Sequence, residues 1–214
     1  LEATKEQYNI DYVFAVSGNI YGPHDLFNLD YGNVTPALIY KFMLAARDKV
    51  PVSIWGTGEA VRDFSHSSDI AKSLYVSMNS LSGPVNIGSG YRHKIKDIVE
   101  ILSEIYQNKI EVNFDASKPD GQMVRYYNLD KLFAENFSPD FDLKSGVEKT
   151  HQWLLENLNK SKRKEEAQLR PYNYIYKVGW SCVIVGIPIR LIVKIYHYDR
   201  PSSDLWNVSK KMRD

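Results

Sequence analysis

The sequence predicts an α/β fold with parallel strands, and three observations carry that reading. Short apolar, partly β-branched runs at Tyr12–Val16, Val52–Trp55 and Pro84–Gly90 suit buried strands. Between them lie stretches with apolar residues at helical spacing, most clearly Ile95, Ile98, Val99, Leu102, Ile105 and Tyr106. Finally, glycines follow the strand-like runs, which puts shaped loops at strand carboxyl ends, where open α/β sheets bind ligands.

Taken in order, Glu2–Tyr8 is compatible with a last helical turn leading into the strand Tyr12–Val16 and the loop SGNIYGPHD. Phe27–Gly32 reads as a polar loop. Pro36 suits a first helical turn, and Leu38, Ile39, Phe42, Met43 and Ala46 form the stripe of the helix that follows. Ser67 or Ser68 is expected to cap the next helix, with Ile70, Ala71, Leu74, Tyr75 and Met78 as its buried face. Glu111–Phe114 reads as a short strand, ASKPDG as a loop and Leu129–Phe133 as a helical turn. A last amphipathic helix uses Val147, His151, Leu154, Leu155 and Leu158.

With 214 residues, 43% hydrophobic and 25% charged, the composition is that of a globular protein with a packed core. The formal net charge of +1 gives no overall argument for nucleic acid. A single cysteine, Cys182, rules out an intrachain disulfide framework and a cysteine-rich metal site. The five histidines lack metal-ligand spacing, so no metal is expected. His66 reads as a polar residue at a helix entry, His151 as a helix-face residue, and His24 and His93 as loop residues.

The stretch Pro51–Ser73 concentrates the chemistry. Gly56 and Gly58 allow positive φ, so the chain can reverse beside Trp55 and project Arg62 and Asp63 from the next extended run. An aromatic, a turn and an arginine suit a flat base and a phosphate; the plain alternative is a local Arg62–Asp63 ion pair. Four loops, Ser17–Asp25, Trp55–Arg62, Gly88–His93 and Ser117–Gly121, together supply Asn19, Arg62, Lys118 and Asp120. Arg62 can bind a phosphate bidentately, Lys118 can add a point charge and Asp120 can accept from ribose hydroxyls.

SGNIYGPHD, VTPALIYKF, SIWGTGEAVRDFSHSSDIAKS, VNIGSG and FDASKPDG, in this order, resemble the C-terminal portion of GDP-L-fucose synthases. These belong to the extended short-chain dehydrogenase/reductase family of nucleotide-sugar epimerases and reductases, and the likeness runs over roughly Leu1 to Leu158, closing on GVEKTHQWLLEN. The resemblance implies the C-terminal part of a Rossmann-type doubly wound fold with the small substrate-binding α/β domain. It places Asn19 and Ile20 at the nicotinamide end of NADP(H) or NAD(H), and Trp55, Arg62 and Lys118 around a GDP-sugar, with Asp120 in the same loop. Asn33 stands where the family has a histidine held to be the acid of epimerisation, and an amide transfers no proton at neutral pH. Lys41 stands at the place of an arginine for the substrate phosphates. Ser17 and Gly18 replace a proline and a threonine, closer to the general epimerase pattern, which leaves 4-epimerase and 4,6-dehydratase activities as alternatives.

The family's glycine-rich cofactor loop and its Ser, Tyr and Lys catalytic group lie before the segment matching Leu1, and no G-x-G-x-x-G occurs in the sequence. LEATKEQYNIDY also reads as the end of a helix entering a strand. The expectation is therefore a fragment of a longer enzyme, with no catalytic residue in this chain and no activity alone, and a homodimer when complete. Its organisation is expected as 1–158 for the Rossmann strands and substrate domain, 159–171 for a charged helix extension or linker, and 172–214 for an atypical apolar and aromatic tail. Val178–Ile189 is a dozen apolar residues interrupted afterwards by Arg190 and Lys194, short of the roughly 20 that span a bilayer. The tail is thus read as a membrane-surface or partner-docking segment through 172–198, with a membrane span, a strand pair or a frame-shifted tail as alternatives. A non-catalytic module with this tail is the rival to an enzyme, and the setting is expected to be cytoplasmic.

Overall fold

A computed structural model describes residues 1–168 and 191–192. Helix α1 (Glu2–Tyr8) leads into β1 (Tyr12–Ser17) and β2 (Asn19–Tyr21), followed by α2 (Val34–Asp48). Then come β3 (Val52–Trp55), β4 (Val61–Arg62), β5 (Phe64–His66), α3 (Ser67–Ser80) and β6 (Gly83–Ile87). The remainder is β7 (His93–Lys94), α4 (Ile95–Ile105), β8 (Val112–Asp115), β9 (Val124–Arg125), α5 (Asp130–Phe133), α6 (Leu143–Gln168) and β10 (Leu191–Ile192). Helix α6 runs on through the charged segment as far as Gln168.

The strands are largely parallel, as the sequence predicts, but they form four small sheets rather than one. Strand β1 lies between β6 and β10, parallel to both, with Val13 opposite Gly83 and Ser17 opposite Ile87. Strands β2 and β5 pair in parallel, as do β3 and β8. In the fourth sheet β4 is central, antiparallel to β7 and parallel to β9.

Two cores result. Val13, Ala15, Val85 and Ile87 of β1 and β6 pack with Ile70, Leu132 and Phe137. Ile39 and Phe42 of α2, Val52 and Ile54 of β3, Ile98 and Leu102 of α4, and Val147 and Leu154 of α6 form the other, to which Tyr21 and Phe64 also belong. The α4 stripe is buried as expected at Ile98, Val99 and Leu102.

Helix α3 corrects the sequence reading twice. Its N-cap is His66, whose Nδ1 accepts from Ser68 N at 3.3 Å, in place of Ser67 or Ser68. Its buried face is Asp69, Ile70, Ser73 and Ser77, whereas Ala71 is exposed and Tyr75 is 70% exposed. The two serines donate back to carbonyls of their own helix, Ser73 to Ile70 and Ser77 to Ser73, so their hydroxyls are satisfied without water. Small side chains then let the helix lie close on the sheet. In α2 the stripe ends on Ala45, with Ala46 exposed, and in α6 Leu155 is exposed. Among the described residues no helix is long and apolar enough to cross a membrane, and no group of three or more His, Cys, Asp and Glu is placed to hold a metal. Apart from Leu191–Ile192, the tail 172–214 lies outside the described residues, and so does its proposed membrane contact.

Candidate nucleotide-sugar site

Asp63, between β4 and β5, is the knot of the site. It is 2% exposed, and its Oδ1 accepts from Ser65 Oγ (2.7 Å), Ser89 N (3.1 Å) and Ser89 Oγ (2.6 Å), while Oδ2 accepts from Gly90 N (2.9 Å). A buried carboxyl group with this many donors is held in one orientation. It ties the loop after β6 to the β4–β5 segment. Glycine is required at position 88 because a Cβ there would lie 2.6 Å from Asp63 Oδ2. The sequence alternative of an Arg62–Asp63 ion pair therefore gives way: the partners of Asp63 are serine hydroxyls and backbone amides.

Arg62, 9% exposed, sits on the central strand of the β7–β4–β9 sheet, opposite His93 on one side and Arg125 on the other. Its Nη1 donates to Val61 O at 2.8 Å. Residues in register on neighbouring strands project from the same face, so His93, Arg62 and Arg125 form a basic row. Arg125 donates from Nη2 to Asn19 Oδ1 at 2.8 Å, and Asn19 N in turn donates to Asp63 O at 3.1 Å. Asn19, Arg62 and the Gly88–His93 loop are thus brought together as the sequence reading requires. Arg125 was not foreseen; its strand is two residues long and carries no periodic signal.

A second group forms an exposed lip at the end of β3. Trp55 is 69% exposed, and Lys118 Nζ lies 5.9 Å from its ring centroid. Gly56 and Gly58 have φ of 78° and 75°, the positive values expected of the turn. Asp120 closes on it: Oδ1 accepts from Thr57 N at 2.6 Å and Oδ2 from Thr57 Oγ1 at 2.8 Å. Both oxygens of Asp120 therefore already serve the turn, and a ribose hydroxyl would have to share them. Beside the lip, Glu59 receives Lys94 at 2.6 Å and Lys96 at 2.7 Å, and these hydrogen bonds hold its carboxyl down to about 2. Lys41 of α2 donates to Ser53 O at 2.8 Å, which anchors it to β3, and burial lowers its pKa.

The other predicted residues stand apart. Asn33 is the N-cap residue of α2, with no side-chain capping bond. Ile20 of β2 packs, partly buried, against the β1–β6 core. A cleft of about 260 Å³ opens beside Asp63 and is lined by Gly90, Arg92, Tyr126, Tyr127 and Phe133, with the Arg92 guanidinium 3.7 Å above the Tyr126 ring. Tyr127 and Lys131 have Tyr-x-x-x-Lys spacing, but Lys131 Nζ donates to Pro84 O at 3.0 Å, which makes it a structural contact. His66 is stacked 4.1 Å from Phe141, and burial lowers its pKa, so it is a neutral core histidine. His151 likewise has its pKa lowered by burial and meets Tyr106 Oη at 2.8 Å through Nε2.

For a nicotinamide cofactor the described residues offer one edge only. Ser17 Oγ, at the carboxyl end of β1, is sealed and has no partner among the described residues, and Asn19 lies just beyond. A glycine-rich turn that would cradle the pyrophosphate is missing from the sequence. These residues do not make up the cofactor's site.

The NAD dependent epimerase/dehydratase family model matches residues 1–88. The GDP-L-fucose synthase of Escherichia coli (strain K12) is 32% identical over 168 residues, 73% of this chain and 52% of the relative. A GDP-L-fucose synthetase from Naegleria fowleri bound to NADP superposes with a TM-score of 0.67 at 26% identity, over 74% of this chain and 51% of that one. The UDP-N-acetylglucosamine 4-epimerase from Methanobrevibacter ruminantium M1, in complex with UDP-N-acetylmuramic acid, gives a TM-score of 0.63 at 27% identity, over 73% and 50%. The chain spans about half the length of the curated relatives it matches. Residues 1–88 thus match the NAD dependent epimerase/dehydratase family, and over about three quarters of its length the chain is similar to the GDP-L-fucose synthases, on a fold it shares with Rossmann-type epimerases.

Proposed function

We propose that this chain holds the nucleotide-sugar substrate of an NADP(H)-dependent epimerase/reductase of GDP-L-fucose synthase type. One observation supports this most: Asp63 locks three loops so that Arg62 and Asn19 stand together at the ends of β2 and β4, with the exposed Trp55–Lys118 lip on the same chain. In this reading Trp55 stacks on the base, Lys118 lies beside it, and Arg62 with Lys41 faces the diphosphate. Lys41 of α2 already donates to Ser53 O of β3, so it is a lesser contributor than Arg62.

The residues that would react with the sugar are not part of this reading. Asn33 cannot supply a proton, so epimerisation through an acid at that place is not expected of this chain. Hydride transfer would need a glycine-rich cofactor turn, and no G-x-G-x-x-G occurs in this sequence. We accordingly expect the chain alone to bind nucleotide sugars without turning them over, and a homodimer and a nicotinamide cofactor to belong to the complete enzyme. The loop SGNIYG and the 4-epimerase neighbour favour, as the second reading, a 4-epimerase or 4,6-dehydratase acting on another nucleotide. Calorimetric titration with GDP-, UDP-, CDP- and dTDP-sugars separates the two. Tightest binding of GDP-sugars supports the first reading and tightest binding of UDP- or dTDP-sugars the second; binding of none defeats both. NADPH oxidation by the chain with a GDP-4-keto-6-deoxy sugar would contradict the expected inactivity.

A further inference from the structure

The cleft beside Asp63 lies apart from the residues read as holding the diphosphate. Successive residues of a strand point to opposite faces of its sheet. Asp63, Arg92 and Tyr126 are each one residue along the chain from Arg62, His93 and Arg125, and they share the cleft, whereas none of that basic row lines it. The cleft therefore opens on the other face of the β7–β4–β9 sheet. Its volume of about 260 Å³ falls just below the roughly 300 Å³ at which pockets for drug-sized ligands begin, so it has room for one ring and too little for a nucleotide sugar.

Tyr126, Tyr127 and Phe133 give the cleft aromatic walls, and Phe133 packs so closely over Gly90 that a Cβ there would lie 2.7 Å from its ring. Most of the polar groups are already spent. Asp63 has its four donors, and Asn128 and Asp130 bond to each other, Nδ2 to Oδ2 at 2.9 Å and Asp130 N to Asn128 Oδ1 at 2.8 Å. Arg92 differs. Its guanidinium rests 3.7 Å over the Tyr126 ring, and among the described residues it makes no hydrogen bond or ion pair. Stacking leaves its five N–H donors available.

A sugar ring needs several hydrogen-bond partners and would find few here. We propose that the cleft is a second binding site, for a flat ring that carries one carboxylate: the ring lies against Tyr127 and Phe133, and Arg92 forks the carboxylate bidentately. Tyr126 supports the guanidinium face, so the fork is presented with little ordering left to lose. The site stands on its own observations and not on the substrate-holding role proposed above.

The test titrates the full chain with benzoate and with its neutral counterpart benzamide, followed by saturation-transfer NMR below the melting temperature, with and without excess GDP. The expected result is benzoate binding at one site about tenfold or more tighter than benzamide, undisturbed by GDP. Arg92→Gln should bring benzoate down to the level of benzamide, and Arg92→Lys, which keeps the charge without the fork, should retain part of the preference. Tyr126→Ala should weaken both compounds. Arg92 and Tyr126 are exposed, so these variants should melt as the unaltered chain does. Binding of neither compound, equal binding of the two, a benzoate preference that survives Arg92→Gln, or displacement of benzoate by GDP would each overturn the inference. Absence of GDP binding would instead defeat the proposed function and leave the benzoate preference as the reading of the cleft.

Discussion

The two halves of the candidate site are built on opposite principles. At Asp63 both carboxylate oxygens are matched: the buried group collects four donors from Ser65, Ser89 and Gly90. At the β3 lip the largest side chain, Trp55, is left mostly in solvent with Lys118 near its face. The first arrangement sets geometry, because displacing any partner leaves a charge or a buried donor unsatisfied. The second leaves surface for a ligand, because its contacts are weak and cost little to rearrange. Stability should therefore concentrate at Asp63 and binding at Trp55 and Arg62.

The largest expected effect is on the knot. Asp63→Ala removes the acceptor of four donors, of which Ser89 N keeps Ser65 Oγ at 2.9 Å, and should lower stability by about 3 to 5 kcal/mol in urea unfolding. A loss under about 1 kcal/mol would mean that the loops are held by something else. Next is Asp25, whose carboxyl burial pushes up to about 6. A carboxyl with a raised folded-state pKa favours folding while protonated, and that contribution disappears as pH rises from about 4 through about 6. Asp25→Asn should remove this decline and, above pH 7, exceed the unaltered chain by on the order of 2 kcal/mol. Equal pH profiles for the two proteins would refute the burial argument.

Gly56→Ala should cost about 1 to 3 kcal/mol, since φ is 78° and the added methyl meets the Asp120 carboxylate; this would show that the lip has its own fixed backbone. Smallest of all, Trp55→Ala should change stability by no more than about 0.5 kcal/mol while weakening GDP binding. A large stability loss without a binding loss would erase the distinction between the two regions.

The same contrast explains what could be read from the sequence. Strands β1, β3 and β6 and helix α4 follow from local apolar patterns, and the positive φ of Gly56 and Gly58 follows from residue type. The role of Asp63 does not, because Ser89 and Gly90 lie 26 and 27 residues away and its sequence neighbour Arg62 offered a simpler pairing. Arg125 was hidden for a related reason: its neighbours Arg62 and Asn19 are set by a two-residue strand pairing. In helix α3 burial is achieved by serines bonding to their own backbone, which hydrophobic periodicity does not register. Trp55, Arg62 and Lys118 stand out in the sequence by chemistry and by family likeness together, and Asp120 is engaged with Thr57.

The claim at the centre of this account is that the chain holds a nucleoside diphosphate through Arg62. Calorimetric titration of GDP into the full chain and into Arg62→Ala tests it most directly. The account predicts saturable one-to-one binding by the unaltered chain and a loss of about tenfold or more in the variant, titrated below its melting temperature so that the protein is folded. Absence of GDP binding by the unaltered chain, or equal affinity in the two, would contradict it.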